Sequence, residues 1–207
     1  MIDLDRLATP GVLADLRRRH AEPHRRYHAW AHVTALLGWA AIAAGRLHDP
    51  DMVTAAILFH DAVYDPRSTD NEARSTVLLR TCEGLCLTAA QRETAARLVE
   101  ATAAHLPPDD LTATEFSDLT HFLDMDLSIL AANFAIFDLY ERHIRVEYAH
   151  VSDDEFARGR RAVLTRFAER PTLYFSPWGQ GLFEAAARRN IERSLERATW
   201  PLAEALT

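Results

Sequence analysis

Helix-start signals divide this chain into segments whose apolar residues recur at helical spacing. Thr9 and Asp49 each combine a capping side chain with a following proline, the pairing typical of a first helical turn. Residues 88–91 and 152–155 both match the capping box, Ser or Thr followed three residues later by Gln or Glu. Since no segment of useful length alternates between apolar and polar residues, the pattern predicts an all-α fold of about eight to ten helices.

The predicted helices occupy most of the chain, and no interdomain linker, fixed-period repeat or low-complexity segment separates them. We therefore expect one compact domain over residues 1–207. The predicted helical ranges are from residue 10 onward, 33–47, 50–59, 69–82 with Gly84 as a C-terminal cap, 88–105, 115–130, 134–149, 152–170 and a last helix ending near 196.

Composition narrows the classes of function. The chain of 207 residues is 48% hydrophobic and carries a formal net charge of −7, which argues against binding a nucleic-acid polymer through a basic surface. Cys82 and Cys86 do not form a C-x-x-C motif, and a disulfide framework is not expected. With no signal-like start and no membrane-length apolar run, we expect a cytoplasmic protein with no membrane partner. Homo-oligomerisation is left open, because apolar residues of the last helix could serve a partner chain or its own core.

Two histidines stand four residues apart in the stretch RRYHAWAH, residues 25–32. This spacing predicts that His28 and His32 share one helix face, where they suit two ligands, or one ligand and one proton donor. The nearest zinc motif is H-E-x-x-H, but position 29 is alanine, so the glutamate of a zincin is missing.

A histidine and an aspartate end the apolar run AILFHD, residues 56–61. Neighbouring side chains of a helix normally diverge, but at its last turn His60 and Asp61 can both reach a metal. Imidazole nitrogen with carboxylate oxygen suits Mn, Fe, Co, Ni or Zn. A cation would also offset the cost of a charge that emerges from a core.

Further candidate ligands occur in later helices. Asp124 and Asp126 lie in the otherwise apolar run FLDMDLSIL, and their spacing in a helix allows only one of them to face a given centre. His105 ends the segment EATAAH and is an equally good candidate for a ligand or for an ordinary packing residue.

The order His, then His-Asp, then Asp on an all-α chain resembles the HD superfamily of metal-dependent phosphohydrolases. YHAWAH is similar to the Tyr-His-Asn-x-x-His signature of cyclic-nucleotide phosphodiesterases, and MDLS resembles their Ala-Asp-Leu-Ser stretch. The wider pattern looks like a bacterial subgroup of predicted phosphohydrolases and covers about residues 25–165, with a C-terminal helical extension. Ala29 and the absence of an aspartate-rich stretch after His60-Asp61 depart from the phosphodiesterases. These departures argue against hydrolysis of cyclic nucleotides, but not against hydrolysis of some phosphate ester.

The resemblance implies a role for each residue of the set. His28 becomes the general acid, and His32, His60, Asp61 and Asp126 become metal ligands, with His105 as a further candidate. Asp61 would bridge two ions if a second one binds. Glu72, in DNEARS, is a candidate base or holder of the attacking water, or a helix N-terminal charge favoured by the dipole.

These roles lead to a hypothesis of phosphate-ester hydrolysis by metal-activated water, with one or two divalent transition-metal ions. The expected substrate is a nucleotide or another small phosphorylated metabolite. Arg145 and Arg158 are candidates for binding its phosphate, or for ordinary ion pairs on a helix surface. Two alternatives stay open: a non-catalytic nucleotide-binding module of the same fold, and a di-iron oxygenase.

Overall fold

The computed structural model describes residues 2–197 and 199–206, and within them the chain is helical. Eleven α-helices and two short 3-10 helices, Ala44–Arg46 and Leu127–Ala131, occupy these residues. The β structure among them is a single bridge between Ala8 and Leu85. The α-helices are α1 (Leu4–Leu7), α2 (Pro10–Arg19), α3 (Trp30–Ala43), α4 (Pro50–Phe59), α5 (Asn71–Thr81), α6 (Ala89–Ala101), α7 (Ala113–Asp126), α8 (Phe134–Glu147), α9 (Asp153–Ala168), α10 (Pro177–Leu195) and α11 (Leu202–Ala205).

The prediction of an all-α fold is confirmed, and so are the helix starts read from capping residues. Thr9 and Asp49 accept hydrogen bonds from the backbone N–H groups three residues further on. Both capping boxes form, at 88–91 and at 152–155. Gly84 has the expected left-handed backbone, with φ of 82°, but it lies two residues beyond the C-cap of α5.

The chain divides into two compact units, residues 1–125 and 126–207, which are described separately. The expectation of one domain over 1–207 stays a prediction. In the first unit, α4 packs against α3, α5 and α6. Every side chain from Met52 to Phe59 is buried, so α4 is the central helix of this unit and carries its apolar run to His60.

The start of α4 is fixed by a carboxylate from α7. Asp118 is 1% exposed, and its two oxygens accept hydrogen bonds from the backbone N–H groups of His48 and Asp49 at 2.7 and 2.8 Å. These bonds give partners to two backbone donors that precede the first turn of the helix. They set the position of α4 along its own axis.

In the second unit, α10 packs against α9 and against the 3-10 helix Leu127–Ala131, and α11 packs against α8. Its interior holds a buried carboxylate, Glu141, which accepts from Ser194 Oγ at 2.6 Å and from Trp200 Nε1 at 2.7 Å. The guanidinium of Arg160 pairs with the same carboxylate. The buried charges therefore have partners, as a low-dielectric interior requires.

Among the helices of the described residues, none combines the length and the apolar character needed to cross a membrane.

Because α4 is buried on all sides, we expect its apolar side chains to dominate the stability of the first unit. Ile57 is 0% exposed, and Ile57→Ala should lower the free energy of unfolding by about 2–5 kcal/mol through lost burial and a cavity. Ile42, in α3, is 61% exposed, and Ile42→Ala should change it by less than about 0.5 kcal/mol. Urea unfolding followed by circular dichroism measures both; equal effects would contradict the central position of α4.

Candidate metal centre

Three potential ligand atoms meet at the C-terminal end of α4. His32 Nε2 and His60 Nε2 are 3.1 Å apart, and Asp61 Oδ2 lies 2.9 Å from His60 Nε2 and 3.8 Å from His32 Nε2. One ligand atom from each residue falls within 4.8 Å of the others. His32 and His60 are buried, whereas the Asp61 side chain keeps 19% of its surface exposed. The cluster is therefore open on its carboxylate side.

The ring of His60 is oriented by the backbone of its own helix. His60 caps α4, and its Nδ1 lies 2.9 Å from the carbonyl oxygen of Ile57. A carbonyl only accepts, so Nδ1 carries a hydrogen, and in the neutral ring Nε2 then presents a lone pair. That lone pair faces Asp61 Oδ2 and His32 Nε2, an arrangement that requires a proton or a cation between them.

His60 and Asp61 approach each other just past the last residue of α4, where the sequence predicts that both can reach one centre. Phe59 is the last residue of α4 and His60 is its C-cap, so Asp61 lies just beyond the helix and turns back. Phe122 supports the other side of the imidazole, with ring centroids 5.9 Å apart.

His28 and His32 do not share a helix face, and this prediction is wrong. Helix α3 begins at Trp30, and Ala29 is its N-cap with an extended backbone, φ −105° and ψ 175°. His28 therefore lies in the preceding turn. The alanine cap makes no side-chain hydrogen bond, so the sequence carries no signal for this start. The two imidazole rings still approach, with centroids 6.4 Å apart.

The carboxylate of Asp61 is held in its charged form. Burial alone would raise the pKa of Asp61, but the imidazoles of His60, His28 and His32, when protonated, together lower it well below the usual range. An ionised oxygen beside two ring nitrogens is the donor set that a divalent transition metal prefers.

The segment after Asp61 is tied to the start of α5. Ser75 Oγ accepts from the backbone N–H of Val63 at 3.0 Å, and Asn71 exchanges two hydrogen bonds with the backbone of Asp65, at 3.0 and 2.9 Å. Two residues of the motif DNEARS thus position the chain that follows the centre. Glu72 is half-buried in the first turn of α5, where the helix dipole favours its charge, and its role as a base stays a prediction.

Two further predicted ligands, His105 and Asp126, lie at or just beyond the ends of helices. His105 follows α6 with a left-handed backbone, φ 48°, and is half-buried. Asp126 is the last residue of α7 and the first of the second unit, with 9% of its surface exposed. Their membership of the first coordination shell stays a prediction.

The two predicted substrate arginines have different surroundings. Arg145 is 2% exposed and donates to the backbone carbonyls of Tyr148, Val151 and Trp200 at 2.8, 3.1 and 3.0 Å, and to Asp153 at 2.7 Å. These bonds hold the segments after α8 and before α11. Arg158 is exposed on α9, next to the capping glutamate of that helix. Substrate binding by either residue stays a prediction.

The structure adds three residues that sequence reasoning did not assign to the site. The ring of Tyr64 stacks on His28, with centroids 4.2 Å apart and planes 27° apart. Arg25 is buried and bonds to the backbone of both His28 and Asp61. The imidazole of His20 is 2% exposed, and its Nε2 is buried without a hydrogen-bond partner. For Arg25, the only signal in the sequence was its place in the stretch RRYHAWAH, as a basic residue close to the histidines.

Comparisons of this chain with protein-family models, with curated proteins and with solved structures find no match.

The buried His20 predicts a pH dependence of stability. Burial lowers its pKa to about 4, against 6.5 in an unfolded chain, although the bond from Nδ1 to the Leu16 carbonyl opposes the shift. Between these values the unfolded chain binds the extra proton, so stability is lost as pH falls from 6.5 towards 4. The loss should approach about 3 kcal/mol relative to His20→Gln. Urea unfolding of the metal-free wild type and of metal-free His20→Gln, at pH 7 and at pH 4, measures this loss. An equal change in stability between the two pH values in both proteins would contradict the lowered pKa of His20.

Proposed function

We propose that this protein is a metal-dependent phosphohydrolase whose ion is held by His32, His60 and Asp61. The observation that carries the proposal is the convergence of two Nε2 atoms and one carboxylate oxygen, all within 4.8 Å. The resemblance of this ordered set to HD-superfamily hydrolases supports the reaction class. A phosphate ester is also a suitable substrate for such a site, because its negative charge would be attracted to the bound cation.

The donor set fits a transition-metal cation. In the neutral form of His60, its lone pair and the Asp61 carboxylate would repel each other at 2.9 Å, and a shared cation relieves that repulsion. The chemistry that such a cation supplies when bound is the activation of water near neutral pH and the polarisation of phosphoryl oxygens.

His28 is the proposed proton donor to the leaving oxygen. It lies next to the cluster, outside the ligand trio, and the ring of Tyr64 covers one face of its imidazole. Such a stack limits the motion of the imidazole while leaving the ring nitrogens in the ring plane. A positioned acid of this kind contributes about 10²–10⁴-fold to the rate.

The role of His28 as proton donor can be tested by comparing substrates with different leaving groups. An alkyl phosphate needs its leaving alcohol protonated, whereas p-nitrophenolate departs without help. His28→Gln should therefore lower kcat at least about 100-fold for an alkyl phosphate and much less for p-nitrophenyl phosphate. Assays would use protein loaded in turn with Mn, Fe, Co, Ni and Zn, and metal content should stay at the wild-type value.

His24→Gln is the matched control, because His24 is exposed and its ring lies along Tyr64 at a centroid distance of 6.1 Å. It should retain the wild-type ratio of the two activities. Equal losses on both substrates in His28→Gln would contradict the role of acid, and loss of metal would make His28 a ligand. Turnover of neither substrate by any loaded form, with an iron-dependent optical band and oxygen consumption, would favour an oxygenase instead.

A further inference from the structure

We infer that Arg25 is a positioning residue of the metal centre: its guanidinium fixes the two backbone segments that carry His28 and Asp61. This inference rests on the proposed metal site and goes beyond its ligands. Arg25 lies in the turn region before α3, and none of its side-chain surface is exposed.

The guanidinium bridges segments that are far apart in sequence. Arg25 Nη1 donates to the carbonyl of His28 at 3.0 Å and to the carbonyl of Asp61, 36 residues away, at 2.7 Å. Nη2 donates to the carbonyl of Ala62 at 3.3 Å. One side chain thus binds the turn that holds the proposed acid and the turn that holds the carboxylate ligand.

The surroundings of Arg25 compensate its buried charge. Nε donates to Glu22 Oε2 at 3.0 Å, and the guanidinium lies over the ring of Tyr64, 5.3 Å from its centroid. Tyr64 in turn stacks on His28. The guanidinium of Arg25 therefore supports His28 in two ways: through the backbone carbonyl of His28 and through the ring of Tyr64, which lies against the imidazole.

Only a planar fork satisfies these partners together. The three nitrogens of the guanidinium donate four hydrogen bonds, to one carboxylate and three carbonyls. The ammonium of lysine has three donors on a single nitrogen and cannot span this set. Lysine at this position should therefore behave as a defective substitute.

The test compares Arg25→Ala and Arg25→Lys with Arg92→Ala, in the same unit. Arg92 is a matched control because its guanidinium also binds three backbone carbonyls, of Leu79, Cys82 and Leu85, at 2.8, 2.7 and 3.2 Å. None of these belongs to the centre. Co²⁺ would be titrated into metal-free protein and followed by visible absorption, with unfolding measured separately in chelator.

Both Arg25 variants should bind Co²⁺ about 10–100-fold more weakly, with a changed absorption band, as expected for loss of a residue that orients ligands. Arg92→Ala should lose stability but keep its affinity within about twofold of wild type. Guanidinium ion at a sub-denaturing concentration should restore affinity in Arg25→Ala, whereas ammonium should not. Wild-type affinity in Arg25→Lys, or equal losses in the Arg25 and Arg92 variants, would overturn the inference.

Failure of the proposed metal site would have a different result: the wild type itself would bind no Co²⁺. Imidazole ¹⁵N resonances of metal-free protein then report whether Arg25 holds the cluster. Arg25→Lys should shift the Nε2 signals of His32 and His60, and Arg92→Lys should leave them in place. Unchanged signals in Arg25→Lys would overturn the positioning role on their own.

Discussion

The hydrogen bond from His60 Nδ1 to the carbonyl of Ile57, at 2.9 Å, determines what the centre can do. It makes Nδ1 the protonated nitrogen and turns Nε2 towards His32 and Asp61. The bond is available because α4 ends at Phe59, where carbonyls of the last turn lack helical partners. The buried helix therefore supplies both the position of the ring and its protonation state.

The parts of this structure that could be predicted are those with local causes. A capping side chain binds the backbone three residues away, so the starts of α2, α4, α6 and α9 follow from a few adjacent letters. The meeting of His60 with Asp61 likewise needed only the end of one helix. The start of α3 has no such cause, because Ala29 offers no capping side chain, and this is why the prediction that His28 and His32 share a helix face was wrong.

Contacts between distant segments had no signal in the sequence comparable to a capping residue. Arg25 reaches Asp61 through a backbone carbonyl, and a carbonyl is present at every residue, so no residue type at the far end marks the contact. The burial of His20 arises from tertiary packing, and the residues next to it in the sequence do not indicate it. The proposed ligands Asp126 and His105 show the same limit, since their residue types indicate metal binding but only tertiary geometry can bring them to an ion.

The proposed function depends on a metal ion held by His32, His60 and Asp61. The most direct test is elemental mass spectrometry of protein purified without chelator or affinity metal, alongside Asp61→Ala and the exposed control Asp154→Ala. We expect about one or two transition-metal ions per chain in the wild type and in Asp154→Ala, and their loss in Asp61→Ala. A wild type that stays metal-free after incubation with Mn, Fe, Co, Ni and Zn, or an Asp61→Ala variant that keeps its metal, would contradict it.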